Sequence, residues 1–357
     1  MSDRPQRLVK QLEAEELDLL LVTGLVNVRY LTGYTGSNGL ALVGPQTRLF
    51  VTDFRYVEQS AVEVDASYER KTDQLELLDA IVDSLPSGQL RLGFDDANLT
   101  VAQHARLSEV VPDGVELVRA GGLVERLRVV KEPGEIERVR VATQAADAAL
   151  TQLLEQGLAG RTERELAIAL ERAMSDQGVQ RPSFESIVAA GPHGALPHAT
   201  PREVEVDPGE LVVIDWGAEV DGYCSDCTRT VASSEPGPEA REVYALVLEA
   251  QLAGVAAVRA GAGGREVDAA ARAVIEAGGH GDDFGHGLGH GVGLEVHEGP
   301  RLSMRSDDEL QSGNIVTVEP GIYLAGKLGV RIEDLVVVGD GGCEILTSLD
   351  KGLLITG

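Results

Sequence analysis

Acidic residues occupy matching positions on two strand-like runs of the segment LVVIDWGAEVDGYCSDCTRTV, residues 211–231. The runs flank a polar turn, so a hairpin centred between Val220 and Asp221 would place Asp215 directly opposite Asp226. Side chains that oppose each other in a hairpin have Cβ atoms about 5 Å apart on one face. Two bare carboxylates at that separation repel each other, so the pattern predicts a cation between them.

The same construction recurs in NIVTVEPGIYLAGKLGVRIEDLVVV, residues 314–338. A turn centred on Gly326 would place Glu319 opposite Glu333, again with both carboxylates on one face. One such acidic pair is usually an ordinary surface feature, but its occurrence in two segments favours a metal site. Arg331 lies two residues before Glu333 and therefore on the same face, where we expect it to pair with a ligand carboxylate and fix its rotamer.

Histidines cluster near the second acidic pair. In GHGLGHGVGLEVHEGP, residues 285–300, His290 can supply one imidazole and His297 another, and the glycines would let the backbone approach a ligand. His286 is expected to be structural. Four carboxylates and a neutral imidazole balance the charge of two divalent ions and leave a bridging hydroxide position open. Mn²⁺ suits this oxygen-rich set, with Zn²⁺ or Co²⁺ as substitutes.

Charge and cysteine content limit the classes of protein to which the chain can belong. The chain has 58 acidic and 31 basic residues, and its formal net charge of −27 repels phosphate backbones and anionic lipid heads. We therefore expect no nucleic-acid partner. The sequence has no window of roughly 20 apolar residues, so no membrane span is predicted. Three cysteines are too few for a disulfide framework and favour a reducing cytoplasm. Cys224 and Cys227 form a CxxC without a partner pair, which does not predict a zinc or redox site.

Two domains are expected from a length of 357 residues and from the order of helical and strand-like patterns. Residues 1–124 alternate the two patterns and predict a small α/β domain. The charged stretch VVKEPGEIE at 129–137 opens a long helical pattern, and residues 125–357 are predicted to form the second domain. The fold class is therefore α/β (α+β).

The order of segments repeats once within the second domain. Each half is predicted to begin with two helices and to continue with paired strands, near 134–158, 163–178, 183–190, 211–217 and 223–231 in the first half and near 239–260, 264–278, 314–324 and 329–338 in the second. The two acidic pairs take corresponding places in the two halves, which predicts a pseudo-twofold fold with one shared site.

These motifs resemble those of peptidase family M24, the pita-bread metallopeptidases. The resemblance covers residues 125–357 and rests on DGYCSDCTRT around Asp226, GHGVGLEVHE at 289–298, VEPGIY at 318–323 and GVRIED at 329–334. Residues 1–124, with NVRYLTGYTGSNG at 27–39 and TDFRY at 52–56, resemble the creatinase/prolidase-type accessory domain. The resemblance implies a pita-bread fold for the second domain and Xaa-Pro peptidases as the activity class.

The resemblance also implies a role for each motif residue. It makes the following five residues metal ligands, with Asp226 and Glu333 bridging: Asp215, Asp226, His290, Glu319 and Glu333. His198, in LPHATP, matches a histidine that contacts substrate and assists at the scissile amide, and His297 matches one that holds the substrate carbonyl. Glu319 additionally resembles the general base. His193 departs from the small polar residue expected at its position.

The implied reaction is attack by a metal-activated hydroxide on the carbonyl that precedes proline. The substrate would be an Xaa-Pro dipeptide, as in a prolidase, or the N-terminus of a longer Xaa-Pro-Xaa peptide, as in aminopeptidase P; these two activities share every catalytic residue. A non-catalytic pita-bread scaffold that binds peptides is the alternative from another class. The resemblance further implies a homodimer.

Overall fold

The computed structural model describes residues 3–73 and 76–356. The chain divides into two compact units, Met1–Arg128 and Val129–Gly357. The domain boundary expected from the sequence, between residues 124 and 125, stays a prediction. None of the helices in the described ranges is long and apolar enough to cross a membrane.

The first unit contains one mixed six-stranded sheet. Its strands, in chain order, are β1 (Leu19–Val22), β2 (Leu40–Val43), β3 (Arg48–Thr52), β4 (Glu69–Thr72), β5 (Leu90–Phe94) and β6 (Val115–Arg119). The spatial order is β4-β3-β2-β1-β5-β6, and β1 pairs parallel with β5 and antiparallel with β2. All four residues of β1 are buried because a continuous apolar run forms a strand that is covered on both faces.

Helices accompany this sheet. They are α1 (Arg4–Ala14), α2 (Leu25–Thr32), α3 (Val57–Glu63), α4 (Leu77–Val82), α5 (Val101–Val110) and α6 (Leu123–Val129). Apolar side chains from α4 and α5 form one core with those of the sheet, including Ile81 and Leu107, which are fully buried. The α/β character predicted for this part of the chain is confirmed.

The second unit begins each of its halves with two helices, as the sequence predicts. These are α7 (Pro133–Leu154) and α8 (Glu163–Asp176) in the first half, and α9 (Pro238–Ala257) and α10 (Gly264–Ala277) in the second. Proline in the first turn starts α7 and α9, and a Thr162/Glu165 capping box starts α8. Each helix pair packs on the strands of its own half, so the unit has two like cores.

Short strands complete the second unit. Those of the first half are β7 (Arg181–Pro182), β8 (Ile187–Ala190), β9 (Leu211–Trp216), β10 (Ala218–Val220), β11 (Tyr223–Cys224) and β12 (Cys227–Ala232). Those of the second half are β13 (Gly289–Gly291), β14 (Glu298–Leu302), β15 (Ile315–Val318), β16 (Gly321–Leu324), β17 (Leu328–Arg331), β18 (Asp334–Gly339) and β19 (Gly342–Ile345). The helix-helix-strand order repeats, which confirms the predicted internal repeat.

The first acidic hairpin turns one residue later than predicted. Asp221 and Gly222 both have positive φ, 49° and 77°, as a two-residue type I′ turn requires. The β-branched Val220 is poorly suited to such a conformation, and it pairs with Tyr223 instead. In this register Asp215 faces Thr228, so the expected direct opposition of Asp215 and Asp226 is wrong.

The second acidic hairpin has the predicted register. β16 and β17 pair around Gly326, which has a φ of 73° and forms the turn. The pairs Val318–Asp334 and Gly321–Arg331 on either side share this register. Glu319 and Glu333 lie opposite each other in the gap between these pairs, where neither residue belongs to a strand.

Candidate metal centre

The five predicted ligands come together in the second unit. Three overlapping groups have side-chain ligand atoms within 4.8 Å of one another: Asp215 with Asp226 and Glu333, His290 with Glu319 and Glu333, and Asp226 with His290 and His297. Although Asp226 does not face Asp215 in the ladder, it lies in the short break between β11 and β12 and still reaches the cluster. The acidic pairs of both halves therefore share one centre.

Burial sets the electrostatics of this centre. The pKa values of Asp226 and Glu333 are raised well above the usual range by desolvation and then by neighbouring carboxylates. Desolvation also raises the pKa of Asp215, where the charge of Arg331 partly opposes the effect. Buried carboxylates so close together need either protons or cations.

Glu319 differs from the other acids because it faces His290. The two residues are 3.3 Å apart between His290 Nε2 and Glu319 Oε1, and His290 Nε2 lies 3.6 Å from Asp226 Oδ2. Burial alone would raise the pKa of Glu319, but the hydrogen bond and charge of His290 lower it to about 2. Glu319 is therefore ionised at neutral pH.

The backbone orients His290 for ligation. Its Nδ1 lies 3.1 Å from the carbonyl oxygen of Gly291, which can only accept, so Nδ1 carries a hydrogen, and Nε2 is the nitrogen that faces the carboxylates and would bind a cation. A Cβ at Gly289 would lie 2.0 Å from the carbonyl oxygen of Thr317. At Gly291 it would lie 2.0 Å from that of Gly299. These glycines thus admit neighbouring strands, and the sequence expectation that they approach a ligand is not needed to explain them.

A directed set of hydrogen bonds fixes two of the acids. Arg331 Nη2 donates to Asp215 Oδ2 at 2.6 Å, the expected pairing of this arginine with a cluster carboxylate. Arg331 Nε donates to Thr228 Oγ1 at 2.9 Å, and Thr228 Oγ1 donates to Glu333 Oε2 at 2.8 Å. Arg331 Nη1 also donates to the hydroxyl of Tyr323 at 2.8 Å. Neither Thr228 nor Tyr323 was predicted from the sequence, although Thr228 lies opposite Asp215 once the hairpin register is correct.

One carboxylate oxygen of the cluster indicates whether the site suits a cation. Asp215 Oδ1 is buried and has no hydrogen-bond donor among the residues that the structure describes, whereas Oδ2 is held by Arg331. A buried acceptor without a donor is costly unless a cation takes its lone pairs. The residues present therefore fit a divalent metal.

A cavity of about 550 Å³ opens onto the cluster. His198 and His297 lie on its wall, and the ring centroids of His297 and His290 are 4.3 Å apart. Desolvation, with the positive charges of His290 and Arg301, lowers the pKa of His297 to about 4. The His297 imidazole is therefore neutral at pH 7 and can donate one N–H to a bound group.

Two further histidines, His193 and His286, form hydrogen bonds within the protein. His193 Nδ1 lies 2.9 Å from both carboxylate oxygens of Glu163, and His193 does not line the cavity. His286 lines the cavity, but its Nδ1 faces the carbonyl oxygen of Gly287 at 2.8 Å and its Nε2 faces the hydroxyl of Tyr323 at 3.0 Å. Both ring nitrogens of His286 are thus used within the protein.

The cysteines are separate from this chemistry. Cys224 and Cys227 are free and buried, and burial raises the pKa of Cys224 to about 12 and that of Cys227 well above its usual value. None of the candidate metal groups found in residues 3–73 and 76–356 includes a thiol.

Two like halves that deliver four carboxylates and a histidine to one cavity define a metal-dependent hydrolase. Residues 137–340 match the model of metallopeptidase family M24, and residues 4–130 match that of the creatinase/prolidase N-terminal domain. The chain belongs to metallopeptidase family M24. The fold and the activity class that the motifs indicated are thereby confirmed.

Similar proteins cover the chain from end to end. An Xaa-Pro dipeptidase of Pyrococcus furiosus is 34% identical, over 99% of this chain and 100% of that protein. The structure of an Xaa-Pro dipeptidase from Bacillus anthracis is 40% identical with a TM-score of 0.95, and covers 99% of both chains. That of an X-Pro aminopeptidase from Thermotoga maritima is 36% identical with a TM-score of 0.90, over 99% of this chain and 100% of that one.

Proposed function

We propose that the chain is a dinuclear metallopeptidase that hydrolyses Xaa-Pro dipeptides. The observation that carries this proposal is the convergence of four buried or nearly buried carboxylates and one oriented imidazole on a single cavity. Four negative charges balance two divalent cations. The proposed ligands are Asp215, Asp226, His290, Glu319 and Glu333.

The arrangement of the ligands supports two bound ions. Glu333 belongs to two of the three groups, once with Asp215 and Asp226 and once with His290 and Glu319, as a carboxylate between two ions would. Asp226 also belongs to two groups, and it would be shared between the ions together with Glu333, as the family resemblance implies. Mn²⁺ suits an oxygen-rich set with one imidazole, and Zn²⁺ and Co²⁺ are the alternatives.

The residues around the ions would divide the chemistry. Bound dications supply Lewis acidity, which lowers the pKa of water in the cavity and polarises the scissile carbonyl. Glu319 would accept the proton of the attacking water. His297 donates a hydrogen bond to the carbonyl oxygen as negative charge develops there. His198 contacts the substrate at the scissile amide from the same cavity wall.

Arg331 acts through its neighbours in this scheme. Its guanidinium is buried and holds Asp215 directly and Glu333 through Thr228. Such contacts keep two carboxylates in the rotamers that ligation needs.

Arg301 favours dipeptides over longer peptides. Its exposed side chain lines the cavity close enough to His297 to lower the pKa of that imidazole. No acidic side chain in the described part of the chain forms an ion pair with Arg301, so its charge is free to bind the carboxylate of a substrate that ends at proline. Arg301 was not predicted from the sequence, because a single arginine in a strand has no distinguishing spacing.

We expect Arg301→Gln to raise KM for Ala-Pro by about 10- to 100-fold, the effect of losing a hydrogen bond between charged groups. KM for Ala-Pro amide, which has no carboxylate, should stay within about twofold of the unsubstituted enzyme. Steady-state kinetics of Mn²⁺-loaded protein on both substrates measure this difference. Arg305→Gln, an exposed arginine outside the cavity, is the matched control.

The same assay separates the alternatives. Faster hydrolysis of Ala-Pro-Ala than of Ala-Pro by the unsubstituted protein, with equal effects of Arg301→Gln on all substrates, would favour the aminopeptidase, the activity for which the Thermotoga relative is named. No hydrolysis of any peptide, with peptide binding retained, would favour the scaffold. The three free cysteines support a reducing cytoplasmic setting, and the homodimer implied by resemblance stays a prediction.

A further inference from the structure

One segment carries His198 along the cavity wall. We call residues 190–202 the His198 loop; it leaves β8, forms a short 3₁₀ helix at Gly191–Ala195, and lines the cavity with residues 197–201. Besides the contacts described next, the carbonyl of Pro197 accepts a hydrogen bond from Arg331 Nη1 at 3.2 Å. The position of His198 depends on how this loop is held.

A single buried carboxylate holds both ends of the His198 loop. Glu163 is the first residue of α8, and its side chain is fully buried. Its Oε1 accepts the N–H of Ala190 at 3.0 Å, where the loop begins. Its Oε2 accepts the N–H of Arg202 at 2.9 Å, where the loop ends. Two backbone positions twelve residues apart in sequence are thus joined through one side chain.

Two side chains of the same loop complete the contact. The Arg202 guanidinium donates to both oxygens of Glu163, at 3.0 Å from Nη2 and 3.1 Å from Nε. His193 Nδ1 lies 2.9 Å from both oxygens, and because a carboxylate only accepts, Nδ1 carries the hydrogen. Burial opposes the charge of Glu163, but these donors outweigh it and lower its pKa.

The contact is separate from the metal cluster. Glu163 hydrogen-bonds to none of the five proposed ligands, and the described partners of its side chain all belong to the His198 loop. His193, at the family position where a small polar residue was expected, is nearly buried and does not line the cavity. A change at Glu163 should therefore reach the reaction through the loop.

We propose that Glu163, with His193 and Arg202 as its donors, is a positioning residue for His198. The inference rests on the proposed function, in which His198 contacts the substrate. Displacing a positioned group by about 1 Å can cost 10²-fold in rate, so the effect belongs in kcat and not in metal binding.

A double-mutant cycle tests the proposal. Glu163→Gln keeps the shape of the side chain but replaces one acceptor oxygen by a donor that faces Arg202 and His193. We expect about a 10- to 100-fold fall in kcat, with unchanged metal content. In a His198→Ala background the same substitution should change kcat by less than about threefold, because residues that act as a unit are not additive. Equal falls in both backgrounds would overturn the proposal.

A second measurement does not depend on activity. Amide hydrogen exchange of residues 191–201 should be at least about tenfold faster in Glu163→Gln, while residues 211–232 and 315–339 keep their protection. Unchanged exchange of 191–201 would overturn the proposal. If the unsubstituted protein cleaves no Xaa-Pro substrate yet the exchange responds as expected, the failure lies with the proposed function and not with the role of Glu163.

Matched variants complete the design. His193→Asn keeps a donor near the position of Nδ1 and should retain most of kcat, whereas His193→Leu should behave like Glu163→Gln. Glu203→Gln, at an exposed residue whose carboxylate pairs with Arg164, should leave kcat and exchange unchanged. If His193→Asn and His193→Leu are equally impaired, the hydrogen bond is not what positions His198.

Discussion

Replacing Glu319 with Gln lowers kcat for Ala-Pro by at least about 10³-fold, because an amide cannot accept the proton of the attacking water. The substitution also removes a negative charge from the cluster, where the carboxylate of Glu319 lies 3.3 Å from His290 Nε2. The fold without metal should be preserved, since Glu319 lines the cavity and is not part of an apolar core. Steady-state kinetics at saturating Mn²⁺ measure kcat, and far-UV circular dichroism of the metal-free protein measures the fold.

Metal content must be determined in the same samples. If Glu319→Gln binds about two ions per chain and is inactive, the activity is lost because proton transfer fails. If it binds fewer ions, part of the activity is lost because a metal ligand is missing. Glu309→Gln, at an exposed acid outside the cavity, is the control for the substitution itself. Retention of more than about a tenth of kcat by Glu319→Gln would exclude Glu319 as the base.

Metal loading is expected to give the largest change in stability. Each ion at 100 times its Kd stabilises the fold by about 2.7 kcal/mol, so two ions add about 5 kcal/mol. For a unit of this size that corresponds to a Tm increase of about 10–20 °C. Scanning calorimetry of chelator-treated protein, before and after addition of Mn²⁺, measures the shift.

The size of this shift should depend on pH in a defined direction. Burial and mutual repulsion raise the pKa values of Asp226 and Glu333 in the metal-free fold above those in the unfolded chain. The metal-free fold therefore gains stability from protons held at low pH and loses that stability as the pH rises through the raised pKa values. Cations replace those protons, so the Mn²⁺-induced shift should be larger at pH 8 than at pH 6.

A pair of aspartate variants isolates the cluster. Asp226→Asn should lose most of the Mn²⁺-induced shift and its pH dependence. Asp221→Asn, in the turn of the same hairpin, should keep both, because asparagine tolerates the positive φ of 49° found there. An Mn²⁺-induced shift that grows as the pH falls would contradict the electrostatic account.

The acidic pairs show what spacing can and cannot predict. Glu319 and Glu333 were found in the predicted register because Gly326 marks the centre of a symmetric hairpin. The first hairpin was displaced by one residue, because Asp221 and Gly222 accept the left-handed conformations of a type I′ turn and Val220 does not. Asp226 still reaches the cluster despite this wrong register, because it lies in an irregular break between two strands. Strand alternation in the sequence cannot predict such a break.

The missed residues depend on contacts between distant segments. Thr228 links Arg331 to Glu333, and Glu163 binds Ala190 and Arg202, across sequence separations from 27 to 105 residues. None of these links has a spacing signature. Metal ligands are easier to predict, because they are acids and histidines. These residue types are costly to bury without a cation, so several of them in strand-like segments stand out in the sequence.

The central claim is that the four acids and His290 hold two dications, and metal stoichiometry tests it most directly. Protein purified without chelator, or reloaded with Mn²⁺ and freed of excess by gel filtration, should contain about two ions per chain by elemental mass spectrometry. Asp226→Asn should contain at most about one. A fully active protein that contains no bound metal, and whose activity is unchanged by chelator or added Mn²⁺, would contradict the account.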